Sequence, residues 1–413
     1  MPGESPAQGP AILFTGFEPS GDDHAAAVIA ELKRRRPHQR IAAWGGPKMQ
    51  AAGAELIERT GENAVVGLPG LAKILEHKRI NQRIEQWIDR NEVCVHVPVD
   101  APAANFPVCE MTRRRGARIV HLAAPQVWAW GGWRIAKLRR LTDHILCILP
   151  FEQAWFRQRG VPATFVGHPV FAHEPEPAEL AASVASWPAG KPSVALLPGS
   201  RPTELLRNFP LLLEVYRRVS AEHPGARGIV AAARDKDATT LRELAQDNWP
   251  EGLDIAVAQT DAVANWADLA LVVSGTVTLQ VARQHTPMVI VYKANPLLYG
   301  FVARWLIRTP FYSLPNLVAE REIIREFVPY FGGPQQIASE AIALLESPQR
   351  LAQQSEQLAR VVDHFTEQNA AINSAAIIES LIDGPPGQDG PASPPDQPPR
   401  AIAQAESQTP MQA

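Results

Sequence analysis

A chain of 413 residues, 46% apolar and 20% charged, has the composition of a soluble globular protein. It is too long for one ordinary core, so two domains of roughly 150 to 200 residues are expected. A formal net charge of −3 gives no reason to expect nucleic acid as a partner.

Residues 1–10, MPGESPAQGP, are polar and Pro-rich. They have no basic flank and no apolar stretch, so they read as a flexible N-terminus and not as a signal peptide. AILFT (11–15) reads as a short buried strand, GFEPSGDD as a turn, and HAAAVIAELKRRR as a helix stopped by Pro37. The arginines that end this helix complement its macrodipole. IAAWG (41–45), VCVHV (93–97), ARIVHLA (117–123), HILCIL (144–149) and ATFVG (163–167) follow as strands, with helical stretches between several of them. This alternation argues for a parallel sheet covered on both faces, spanning a first domain over 11–173.

The Pro- and Ala-rich segment 174–192 reads as an interdomain linker. A second alternation then starts: SVALL (193–197), GIVAAA (228–233), DIAVA (254–258), LALVV (269–273) and MVIVY (288–292) are strands of a second domain over 193–345. Residues 346–383 read as a C-terminal helical segment. Residues 384–413 are too Pro-rich to pack and read as a disordered tail. The expected fold is α/β, two doubly wound domains with a cleft between them, with ligands beyond the carboxyl ends of the strands.

Cys94, Cys109 and Cys147 fall in no CxxC or Cys/His spacing, so neither zinc nor a disulfide framework is indicated. No run of about 18 apolar residues is present, and a reducing, cytoplasmic compartment fits. His121 and His168, beside apolar strands, read as structural.

Three turns carry candidate chemistry. In LVVSGTVTLQ (271–280) a buried strand ends at Ser274-Gly275-Thr276 where a helix starts. Gly275 lets the backbone approach a ligand, and two hydroxyls stand beside unpaired helix N–H groups, which suits a diphosphate. An ordinary Ser/Thr N-cap fits the same residues. In LLPGSRPTEL (196–205), Arg201 can present a fork to phosphate while Ser200 or Thr203 caps the helix; a surface arginine on a loop is the plainer reading. In TGFEPSGDDH (15–24), two glycines permit tight turning, and Asp22 and Asp23 read most simply as dipole-complementing residues at a helix start. Neither GxGxxG nor GxxxxGK[ST] is present. A fourth stretch, VDAPAANFP (99–107), holds one carboxylate, Asp100, which on local grounds ends a strand.

Ten stretches taken together, FEPSGD, GGPKMQAAG, VDAP, PQVWAW, LPFEQAWF, FVGHP, LLPGSR, SGTVTL, PMVIVYK and SLPNLVAERE, resemble in order the lipid-A-disaccharide synthase family over residues 11 to about 330. The resemblance implies a GT-B glycosyltransferase with two Rossmann-like domains. That family moves a diacylglucosaminyl unit from UDP-2,3-diacylglucosamine to the 6-hydroxyl of 2,3-diacylglucosamine 1-phosphate (lipid X), releasing UDP, with no metal or other cofactor. It further implies Asp100 as the general base and Ser200, Arg201, Ser274, Gly275, Thr276, Gln280 and Asn316 on the UDP-sugar side. The turn bearing Glu18, Ser20, Gly21 and Asp22 would face the cleft.

Acylated substrates imply contact with the inner-membrane surface. The stretch 64–83 suits this, because Val65, Val66, Leu68, Leu71, Ile74 and Leu75 are interleaved with and followed by Lys73, Lys78, Arg79 and Arg83. A core-packing helix with a solvated end fits it as well. A homodimer is also compatible.

Four motif positions depart from the family: Phe17 for glycine, Ala103 for a carboxylate, Gly131 for arginine and Gln280 for glutamate. Three readings stay open in this order: a working synthase, a relative using another UDP-sugar or acceptor, and a non-catalytic nucleotide-sugar or lipid-binding module.

Overall fold

Apolar runs ending in small or polar residues become the strands of two parallel sheets in the computed structural model. The structure describes residues 9–60, 71–129, 131–172, 175–246, 248–294 and 309–383, with the side chains of 71–75 excepted. The first sheet contains β1 (Ala11–Gly16), β2 (Ile41–Gly45), β3 (Glu55–Arg59), β4 (Val93–Val99), β5 (Arg118–Leu122), β6 (His144–Cys147) and β7 (Ala163–Phe165). Its order is β3-β2-β1-β4-β5-β6-β7. The second contains β8 (Ser193–Leu197), β9 (Arg227–Ala232), β10 (Leu253–Val257), β11 (Leu269–Val273), β12 (Met288–Lys293) and β13 (Glu326–Tyr330), in the order β10-β9-β8-β11-β12-β13.

Helices connect the strands: α1 (Pro19–Arg35), α2 (Pro47–Ala51), α3 (Leu71–Ile88), α4 (Pro102–Arg114), α5 (Ile135–Leu141), α6 (Pro150–Arg157), α7 (Pro177–Ala185) and α8 (Pro202–Glu222). They continue as α9 (Asp235–Ala245), α10 (Thr260–Trp266), α11 (Val277–Arg283), α12 (Leu314–Ala319), α13 (Pro334–Leu345), α14 (Pro348–Asp363) and α15 (Ala370–Asp383).

Strand order reverses between β1 and β4 in one sheet and between β8 and β11 in the other, which makes these the two switch points. Strands β1, β2, β8 and β11 are buried along their whole lengths, so they read in the sequence as unbroken apolar runs. Side chains alternate across β1: Ile12 and Phe14 pack with Ala25, Ile29 and Leu32 of α1, whereas Leu13 packs with Ile80 and Ile84 of α3.

The chain forms two units. The first runs to Ala172 and resumes at Gln368; the second occupies the chain between. The expected linker therefore contains a helix, α7, that packs on α10, with Trp187 edge-on to Trp266 at 6.3 Å. The expected C-terminal helical segment is divided. Helix α14 stays with the second unit, whereas α15 returns to α1, where Ala375 and Ile378 enter the core of the first.

Of the stretch expected at a membrane, Val65, Val66 and Leu68 lie outside the described residues, as do the side chains of Leu71, Ile74 and Leu75. Lys78 and Arg79 are exposed on α3. Among the described residues no helix is long and apolar enough to cross a membrane.

Candidate functional site

At the end of β4 the backbone turns through two left-handed residues in succession, Asp100 (φ 44) and Ala101 (φ 41), before Pro102 opens α4. Neither is glycine, so each conformation costs about 1–3 kcal/mol and persists only where neighbours hold it. The Asp100 N–H donates to the Leu122 carbonyl at the end of β5 (3.0 Å). The buried Asn105 amide donates to the carbonyls of Val99 (3.2 Å) and Asp100 (2.8 Å). Asp100 is half-buried, at the carboxyl end of the strand beside the switch point.

A second carboxyl group lies near it. Glu152, on the first turn of α6, is buried; its Oε1 accepts the Trp128 indole N–H (2.9 Å). Its Oε2 accepts the N–H groups of Ile148 (3.1 Å) and Leu149 (3.0 Å). Burial, and to a lesser degree the charge of Asp100, pushes this carboxyl up to about 7 against the opposing pull of the three donors. Trp128 also packs edge-on against Phe151 at 4.9 Å, so the PQVWAW and LPFE stretches form one structure beside Asp100. The signal for Glu152 in the sequence is its place three residues after Leu149, the residue that caps this helix.

The turn after β1 is arranged differently from expectation. Asp22 does not serve the start of its own helix. Its carboxylate accepts the N–H groups of Gly46 (3.1 Å), Lys48 (3.0 Å) and Met49 (2.9 Å), capping α2 instead. A Cβ on Gly46 would lie 2.3 Å from Asp22 Oδ2, so that contact requires glycine. Gly21 packs beside Val99, which brings this turn next to the end of β4; Glu18 and Ser20 are half-buried there.

In the second unit, β8 and β11 are neighbours, so the turns following them are adjacent. Gly199 takes φ +99. Glu204 curls back over this turn, accepting the N–H groups of Ser200 and Arg201 (both 3.3 Å) and pairing with the Arg201 guanidinium at 3.0 Å. Arg201 remains more than half exposed (55%), with its fork available to an anion. A second guanidinium stands beside it: Arg234, at the end of β9, donates to the Ser200 carbonyl (3.2 Å) and pairs with Asp237 (2.8 Å). The only local signal of this arginine in the sequence is its place directly after an apolar strand.

Gly275 and Thr276 are exposed, and Gln280 is half-buried on α11. The Ser274 hydroxyl donates to the Tyr312 carbonyl (3.2 Å), tying this turn to the SLPN loop. Asn316, expected at the nucleotide, is buried. Its amide donates to Ile324 O (2.8 Å) and Glu326 Oε1 (2.7 Å), and its carbonyl accepts Ile323 N–H (2.9 Å) and Ile324 N–H (3.0 Å). Its side chain thus shapes the loop. Glu326 completes that arrangement by accepting Tyr312 N–H and Ser313 N–H, both at 2.9 Å. Among the described residues no group of three or more His, Cys, Asp or Glu side chains is placed to hold a metal ion.

The lipid-A-disaccharide synthetase family matches residues 12–380. A lipid-A-disaccharide synthase of Anaeromyxobacter dehalogenans is 35% identical over 340 residues, covering 81% of this chain and 88% of that protein. The corresponding protein of Myxococcus xanthus is 31% identical over 385 residues, covering 92% and 99%. Among solved structures, an S. aureus MnaA–UDP co-structure superposes with a TM-score of 0.59 over 92% of this chain and 100% of that one. At 10% identity this is a likeness of fold, that of the GT-B transferases and epimerases. With its ordered motifs on two parallel-sheet units and a match along nearly the whole described chain, the protein belongs to the lipid-A-disaccharide synthetase family.

Proposed function

We propose that the protein transfers a 2,3-diacylglucosaminyl unit from UDP-2,3-diacylglucosamine to the 6-hydroxyl of lipid X, making a β-linked disaccharide and UDP. Membership of the family makes it an inverting glycosyltransferase of lipid A biosynthesis. The observation that carries the finer reading is Asp100, held in a strained turn at the carboxyl end of the strand beside the switch point. Its carboxylate takes the proton of the acceptor hydroxyl as the oxygen attacks the anomeric carbon, and the bond to UDP breaks with its electrons leaving on the diphosphate.

That developing charge needs donors, which Arg201, the Ser274 and Thr276 hydroxyls and the open backbone at Gly275 supply. Ser200 shapes the turn that presents Arg201, and Asn316 shapes the facing loop. Gln280 takes the ribose as a neutral amide, a weaker partner than a carboxylate. Glu18, Ser20 and Gly21 line the acceptor side of the Asp100 turn, which Asp22 braces through α2. We further propose that the protein acts at the cytoplasmic surface of the inner membrane, with the stretch 64–83 and its Lys78 and Arg79 at the lipid, and as a homodimer.

The test is a transfer assay with UDP-2,3-diacylglucosamine and lipid X. Asp100→Ala is expected to lower kcat by about 10²–10⁴-fold without changing UDP affinity. Undiminished transfer would remove Asp100 from the role of base, and wild-type protein that releases no UDP with this pair would remove the substrate assignment.

A further inference from the structure

Behind Asp100 runs a chain of buried polar side chains whose hydrogens can be assigned. The Thr15 hydroxyl donates to Asn105 Oδ1 at 2.6 Å, which uses its only proton. His96 Nε2 lies 2.8 Å from the Thr15 hydroxyl oxygen, so this nitrogen carries the hydrogen and donates. His96 Nδ1 is then a lone-pair acceptor, facing the Thr112 hydroxyl at 3.1 Å. Thr112, on α4, therefore gives its only hydroxyl proton to that nitrogen and not to the Val108 carbonyl 3.0 Å away. The imidazole in this assignment is neutral, and its complete burial favours the same state by pushing its pKa down to about 3.

The Asn105 amide has no freedom to turn over. Its NH2 faces two carbonyl oxygens, Val99 O and Asp100 O, which only accept, and its oxygen faces Thr15, which donates. Thr15, His96, Asn105 and Thr112 are all fully buried. The chain therefore starts in α4, crosses β4 and β1, and ends on the two carbonyls on either side of the Asp100 α-carbon.

We propose that Asn105, Thr15 and His96 are positioning residues, a buried hydrogen-bonded chain that fixes the Asp100–Ala101 turn and so aims the Asp100 carboxylate at the acceptor hydroxyl. This rests on the assignment of Asp100 as base. The network ends on the peptide carbonyls on either side of that residue, so its loss reaches the turn that carries the carboxylate. Such a chain acts on proton removal and not on substrate binding, so its loss falls on kcat and leaves KM in place.

The test uses the full-length protein with both substrates. Thr15→Val keeps the shape but removes donor and acceptor together; it is expected to lower kcat about tenfold or more with both KM values within about twofold, because the lost interaction matters in the transition state. Thr15→Ser, which restores the hydroxyl, is expected to recover turnover to within about threefold of wild type. UDP affinity, read by calorimetry, stays unchanged in both. Wild-type kcat in Thr15→Val, or an equal deficit in the two variants, overturns the proposal. Asp100→Asn separates the two layers. If it is inactive while Thr15→Val is fully active, only the positioning chain is lost; if it is fully active, the base assignment falls and the chain's purpose with it. Should Thr15→Val not fold, Ala101→Gly removes only one half-buried methyl and frees the turn, and it is expected to lower kcat several-fold with Tm little changed. Unchanged kcat in that variant overturns the proposal as well.

Discussion

Asn316 holds the SLPN loop from within. Its position in SLPN was legible in the sequence, but its partners were not, because they lie around β13, whose EFVPY sequence reads poorly as a strand. Glu326 accepts from Tyr312, Ser313 and Asn316 together. All of these partners are donors, so a carboxylate suits the place and an amide does not. Glu326→Gln turns one acceptor into a donor facing other donors, at a cost of about 1–3 kcal/mol to the loop. The expected result is UDP binding weakened about tenfold by calorimetry, which is about 1.4 kcal/mol. If affinity is unchanged while Tm falls, the cluster serves stability and not the nucleotide. Asp100 presents the reverse case: its place at a strand's end was readable, but the left-handed pair and the Asn105 amide that holds it depend on contacts between β1, β4 and α4. Glu152 and Arg234 escaped notice because their roles come from burial and from a neighbouring turn, not from spacing.

At the scale of elements, eleven of the strands were legible because central parallel strands are apolar throughout. The two that were not, β3 and β13, each lie at one edge of their sheet: β3 reads ELIER with exposed charges at both ends, and β13 carries Pro329, which an edge position tolerates. The return of α15 to the first unit was equally hidden, since its partners stand near the other end of the chain. Arg35 and Arg36 bind Glu379 at 3.0 and 3.2 Å, but these groups are partly solvated and contribute modestly. The apolar contact decides the attachment: Ile378 is fully buried against the core that holds Ile12, Phe14 and Ile29. Ile378→Ala is expected to destabilise the first unit by about 2–4 kcal/mol, read as a lower urea midpoint. Arg36→Ala is expected to shift it by less than about 1 kcal/mol. A larger effect from the arginine would mean that charge and not burial holds the helix.

Across the whole molecule, the most strongly perturbed buried titratable groups are unevenly shared. His96, His121 and His168, each pushed down to about 3 by burial, and Glu152, pushed up to about 7, all belong to the first unit. Between pH 6.5 and about 4.5 the unfolded chain protonates its three histidines while the folded unit does not, so acid favours unfolding. Glu152 acts in the opposite sense, because the folded form binds its proton below about 7 and the unfolded form only below about 4.5. The balance of these four groups is uptake of two protons on unfolding, and His24, which burial also pushes down, adds to it, so the first unit loses stability on acidification within that window. The second unit holds none of the four. Limited proteolysis stepped from pH 7.5 to 5 is therefore expected to cut the first unit while the segment ending at Glu367 persists. His121, whose ring nitrogens have no partner among the described residues, gives the control. His121→Leu removes one of the protons taken up on unfolding, so the pH slope of the urea midpoint is expected to fall. Equal acid sensitivity of both units, or a slope unaltered by that substitution, would show that buried histidines do not govern the transition.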